Sequence, residues 1–180
     1  MRELKILNDA TSALEGAASL DPLVDRVKGV VTTVVPDPVL DVLHGVPAGH
    51  AVHPVAVLLP IGAWIGSAIL DVVPGAEKAS RVLVGVGIAG VLPSVATGVA
   101  DWSRLRTDQS RVGIVHALTN TVATSLYAVS FLQRGRGHQL SGRLLGLAGL
   151  AVVGASGYLG GHLTYRMGAS VEPVSGPLQT

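Results

Sequence analysis

Four apolar stretches in succession constrain this chain more than any other feature. Ala51–Val73 carries one charge, Asp71, while Val82–Ala100, Val112–Leu132 and Leu144–Leu163 carry none. Each runs 19–23 residues, and a helix needs about 20 residues to cross roughly 30 Å of hydrocarbon. A water-soluble domain rarely holds one such run, so four predict a polytopic membrane protein. Composition agrees: charged residues make up 14% of the chain, against roughly 25% in soluble domains. The connectors Pro74–Arg81, Asp101–Arg111 and Gln133–Arg143 are short and polar, so neighbouring helices must run antiparallel. The expected fold is all-α, an up-down bundle of four transmembrane helices.

The flanks read differently. Met1–Leu20 contains Arg2, Glu3, Lys5, Asp9 and Glu15 without an apolar run, which excludes a signal peptide there. Leu4, Leu7 and Leu14, then Val24, Val27, Val31 and Val34, recur at helical spacing between charges. Residues 1–50 therefore read as an amphipathic helical leader, lying on the membrane surface or capping the bundle. It should break near Ser19–Pro22 and end at Pro36-Asp37-Pro38. The bundle occupies 51–168, and 169–180 reads as a tail or linker. A net charge of +1 gives no basic surface for nucleic acid. The absence of cysteine excludes disulfides and thiolate-held metals or clusters in this chain. Any metal or cofactor must be held by His, Asp, Glu, Met or Tyr. Arg104, Arg106, Arg111 and Arg166 on one side balance Lys78, Arg81, Arg134, Arg136 and Arg143 on the other, so loop charge leaves orientation open.

Antiparallel folding gathers the histidines. His53 opens the first span, Asp101 and Trp102 close the second, His116 lies one turn into the third and His162 ends the fourth. His44 and His50 precede span one on the same side, so only His138 is expected elsewhere. Helical spacing draws polar stripes: His53, Val57, Pro60, Trp64, Ser67 and Asp71 in span one; Ser94, Thr97 and Asp101 in span two; His116, Asn120, Thr124 and Tyr127 in span three; Tyr158, His162 and Tyr165 in span four. Such stripes face the interior of a membrane bundle. Pro60 and Pro93 are expected to kink their helices. The glycines, including Gly142/Gly146 and Gly157/Gly161, allow close helix packing or make room for a flat cofactor.

Two histidines on neighbouring helices suit axial ligation of haem b, since no covalent attachment motif is present. His53 and His116 are the first choice, with His162 as alternative partner and Arg104 or Arg166 for the propionates. A compact Zn, Cu or Fe site from His53, His116, His162 and Asp101 is the rival. His44, His50, Asn120, Trp102 and Tyr165 stand as supporting residues or alternative ligands. The structural alternative is that these groups hydrogen-bond within the protein and no cofactor is bound. Asp71 reads as a helix-end or interhelical carboxylate rather than a proton relay.

The run Leu43-His44-Gly45, Gly49-His50, His53-Pro54, Pro60-Ile61-Gly62 and Leu70-Asp71 resembles the opening of the bacterial membrane domain called domain of unknown function 2231. Gly98, Asp101-Trp102, His116 with Asn120, and Gly154–Gly168 continue the likeness. The resemblance implies a four-helix bacterial inner-membrane protein. Some similar proteins continue into a Rieske-type iron–sulfur domain, which implies a redox setting. The leading functional expectation is a membrane electron-transfer module that binds haem b through these histidines and works with a Rieske-type or other respiratory redox partner among membrane lipids, an electron-transfer or accessory subunit rather than a stand-alone enzyme. A non-catalytic anchor or assembly subunit of a larger complex is the second reading. A small-ion pathway, or the compact metal site, is the third.

Overall fold

In lipid, a spanning backbone satisfies its polar groups only as a helix or a closed barrel. The computed structural model describes residues 5–170, and no strand occurs among them. The tail beyond Ser170, expected to be a linker, lies outside the described residues. Helices α1 (Lys5–Glu15), α2 (Asp21–Val34) and α3 (Asp37–His44) precede a short α4 (His53–Ala56). Then follow α5 (Leu58–Leu70), α6 (Glu77–Ser103), α7 (Thr107–Gly135) and α8 (Gln139–Gly161), the last continuing as a π-helical turn, His162–Arg166. Four helical stretches are long and apolar enough to cross a membrane: His53–Leu70, Glu77–Ser103, Thr107–Gly135 and Gln139–Arg166. The last three outrun their apolar stretches, because the connectors supply helix-compatible polar residues such as Glu77, Lys78, Gln109 and Gln133.

The chain forms two compact units. One takes in residues 53–95 and 118–156, the other 1–52, 96–117 and 157–180. The first unit holds a four-helix core: Trp64 of α5, Val84 of α6, Ala123 and Tyr127 of α7, and Val153 of α8. Its polarity is inverted relative to a soluble core. Ser67, Ser80, Ser130 and Ser156 are at most 2% exposed, while Leu58, Leu92 and Leu144 are 58–75% exposed. In water that arrangement would be unstable. In lipid it follows from packing, since tails are as apolar as leucine and small residues let helices close up.

The glycines of this unit seat side chains. Gly87 lies against the Trp64 indole, Gly142 against Arg134 and Gly149 against Tyr127. The room they leave is filled by the protein's own flat groups. A Cβ on Gly149 would stand 2.8 Å from the Tyr127 ring. Gly149→Ala should therefore destabilise by about 1–3 kcal/mol through overpacking. Gly154→Ala, where nothing lies within 4 Å, should be silent. Thermal unfolding of both variants in one detergent checks the pair.

The prolines resolve in different ways. Pro60 sits in the first turn of α5, and the helix is interrupted just before it at Val57. Proline removes the bond to the carbonyl four residues back, here that of Ala56, and Ser94 Oγ donates to that oxygen at 3.1 Å. Pro93 lies inside the continuous α6. Pro36-Asp37-Pro38 ends α2 and also starts α3, a helix not expected from spacing. Prolines suit a first helical turn, where the amide has no partner to lose.

The second unit joins the leader to helix ends. Val24 of α2 packs with Trp102 and Ile114. Leu14 of α1 packs against a cluster of Val112, Leu163 and Ala169.

Candidate functional site

Helix ends expose backbone groups and collect charged side chains, and in the second unit these become paired. His44 ends α3 and donates from Nδ1 to Asp101 Oδ1 at 2.7 Å, both groups buried. His162 begins the π-helical turn and donates from Nε2 to Glu15 Oε1 at 2.8 Å. Arg111 grips Asp21 with two bonds of 2.6 and 2.7 Å and donates to the Glu15 carbonyl at 2.8 Å. The hydrogen bonds from Arg111 hold the Asp21 carboxyl below the usual carboxylate range, outweighing its partial desolvation. Lys28 donates to the Leu105 carbonyl at 2.6 Å beside the Trp102 ring, and burial lowers its pKa. Trp102 Nε1 in turn donates to the Ser110 carbonyl at 3.0 Å. Together these contacts clamp α1 and α2 onto the C-terminal end of α6 and the start of α7.

Beside the clamp lies a cleft of about 340 Å³ whose lining includes Ser12, Glu15, Arg106, Asp108, His162 and Arg166. The π-helical turn shapes it. Met167 N–H bonds to the His162 carbonyl five residues back, which sets His162 and Arg166 along one side of the turn. The same change of pitch takes Tyr165 off the expected Tyr158–His162–Tyr165 stripe, while Tyr158 still stacks on His162 with ring centroids 6.5 Å apart. His162 turns inward, while Tyr158 is 39% and Tyr165 91% exposed. Tyr165, expected as a supporting residue or alternative ligand, points outward.

The other candidates have contacts of their own. His116 packs its ring against Gly160. His50 is exposed. Arg104 pairs with Asp41 in a partly exposed bridge. Asp101, expected as a metal ligand, spends one oxygen on His44 and receives Ser170 Oγ on the other at 3.4 Å. Asn120 is half-buried. Among the described residues, no group of three or more His, Asp or Glu comes together to hold a metal ion.

In the four-helix unit, His53 donates from Nδ1 to the Ser94 carbonyl at 2.9 Å. The same unit contains a centre not expected from the sequence. Arg134 donates to both Asp71 oxygens, at 2.6 and 2.7 Å, and also to Ser80 Oγ, Ser130 Oγ and the Gly142 carbonyl. Those five bonds match the five N–H donors of a guanidinium. Its side chain is 1% exposed. Asp71 is the interhelical carboxylate expected, and Arg134 is its partner rather than a solvated loop charge.

A family model described as "Predicted membrane protein (DUF2231)" matches residues 49–173. No curated protein and no solved structure matches the chain.

Proposed function

The chain belongs to the family of membrane proteins called domain of unknown function 2231, and from that premise we propose that it serves as a non-catalytic anchor or assembly subunit in a bacterial inner membrane. The observation that carries this reading is the clamp on the leader. Arg111, Asp21, Glu15 and His162 fasten α1 and α2 through charged bonds of 2.6–2.8 Å. A segment fixed in this way presents a rigid surface to a partner subunit, with Leu23, Val30 and Val34 exposed along α2. His53, Asp71, Arg134 and Asp101 all bond within the protein, and Gly87, Gly142 and Gly149 seat Trp64, Arg134 and Tyr127.

In solubilised native membranes the chain is expected to migrate in a complex larger than itself. His53→Ala and His116→Ala should leave that complex intact, and Arg111→Ala should dissolve it. A wild-type chain that migrates alone sinks the reading. The clamp also carries a pH signature. Asp21 has a depressed pKa in the folded state, so its contribution is present above the unfolded value, about 3.9, and is lost as pH falls through the folded value. Amide protection factors in α1 and α2, referred to the intrinsic exchange rate at each pH, should stay high at neutral pH and fall only below about pH 4. Arg111→Ala should show that loss of protection, roughly tenfold, already at neutral pH.

One observation favours a second reading, the haem b electron-transfer module with a Rieske-type partner. His44 is oriented by Asp101 through Nδ1, the way ligating imidazoles are commonly held, which leaves Nε2 as the ligating atom. Against it, the cleft near His162 is lined by polar groups, whereas a macrocycle needs apolar walls. Under this reading the purified, haem-supplemented protein shows a Soret band that His44→Ala weakens. No band leaves the anchor reading standing.

A further inference from the structure

We propose that the cleft beside α1 binds the headgroup of a zwitterionic phospholipid, with the phosphate on Arg106 and Arg166 and the amine toward Asp108 and Glu15. Position is the first argument. Arg106 and Asp108 sit at the connector where α6 passes to α7, and His162 and Arg166 end the stretch that begins with α8. All four therefore lie at the ends of membrane-spanning stretches, the depth of lipid phosphates. The third wall is α1, an amphipathic helix of the kind that lies along that boundary. Chemistry is the second argument. Two guanidinium groups match a phosphate's oxygens in paired bonds, and Ser12 adds a hydroxyl. The two carboxylates give the same cleft an opposite pole, which a simple anion would not use but an ethanolamine group would.

Construction is the third argument. The π-helical turn places Arg166 beside His162, and His162, with its side chain 6% exposed, fixes Glu15 at 2.8 Å. One wall is therefore rigid before any ligand arrives. The Arg106–Asp108 pair is looser, at 3.2 Å with side chains 66% and 42% exposed, and opens at little cost. Its two members would then take opposite ends of the headgroup. A volume of about 340 Å³ lies within the range of small-molecule sites and leaves the acyl chains outside, alongside apolar helix surface. This site does not depend on the anchor reading.

The test is calorimetric titration of the full chain in maltoside detergent with dihexanoyl-phosphatidylethanolamine, dihexanoyl-phosphatidylglycerol and phosphoethanolamine. Saturable binding of the first is expected, with the second weaker for want of an amine. Arg106→Ala and Arg166→Ala should each weaken it about tenfold. Arg136→Ala, an exposed arginine of the other unit, should leave it unchanged. Arg106 and Arg166 are also exposed, so these variants should fold, and an unchanged elution volume and melting temperature verifies it. Absence of saturable binding, or equal loss in all three variants, overturns the proposal. Phosphoethanolamine binding as tightly as the lipid overturns the lipid assignment in favour of a soluble phosphate ester.

Discussion

Arg134→Ala should destabilise the protein by about 3–5 kcal/mol, the loss expected when one partner of a buried ion pair is removed. The Asp71 carboxylate would keep Ser80 Oγ at 2.7 Å but lose the two guanidinium bonds that balance its charge. Ser130 Oγ would keep the Gly142 carbonyl at 2.6 Å, so the damage centres on the carboxylate, left with the partly exposed Arg143 at 3.9 Å as its remaining cation. Arg134→Lys should recover only part, since an ammonium cannot fork onto both Asp71 oxygens while reaching Ser130 and Gly142. The double variant Asp71→Leu/Arg134→Met should recover most of the loss, because it removes both charges together. Thermal unfolding of the four proteins in one detergent measures all of this. A single alanine variant as stable as wild type would mean that the network contributes nothing net to stability.

How much of this was legible in the sequence follows from which signals are local. The four spans came from length and charge alone, and the stripe Trp64–Ser67–Asp71 does turn inward: Trp64 and Ser67 are buried and the Asp71 side chain is 9% exposed. Ser94, Thr97 and Asp101 are likewise buried at 6–7%. Arg134 escaped because the apolar window closed at Leu132, which placed it with the loop charges. Its signal was present nonetheless. It lies seven residues beyond Tyr127, two helical turns further along the stripe of span three. The stripes of spans one and three thus end in opposite charges, Asp71 and Arg134. Extending a polar stripe past the hydropathy boundary would have paired them. Two features were not legible. The α-to-π change after Gly161 alters the period on which the His162–Tyr165 part of the stripe depended, and propensity does not announce it. The partners of the histidines, Glu15 for His162 and Asp101 for His44, are separated by 147 and 57 positions, and spacing within one helix carries no information about them.

Trp64→Ala should cost about 3 kcal/mol, toward the lower end for large core truncations. The indole is 4% exposed and stacks on Tyr127 with centroids 4.0 Å apart and planes 8° from parallel. Gly87 lies against its pyrrole ring. In lipid, truncation forfeits little transfer free energy, so the loss is one of packing: the stack and the contacts with Gly87 disappear, and rigid helix backbones cannot fill the gap. Trp64→Phe keeps a ring over Tyr127 and gives up the bond from Nε1 to the Val84 carbonyl, at 3.4 Å already a weak one, so its loss should be clearly smaller. The same slot tests the meaning of the glycines. If Gly87 is there to seat Trp64, then Gly87→Ala, which clashes with the indole, should destabilise the wild type yet be tolerated in the Trp64→Ala background. A double-mutant cycle on unfolding free energy reads that coupling directly. Strict additivity would mean that glycine and tryptophan act separately, and the packing account of this unit would fail.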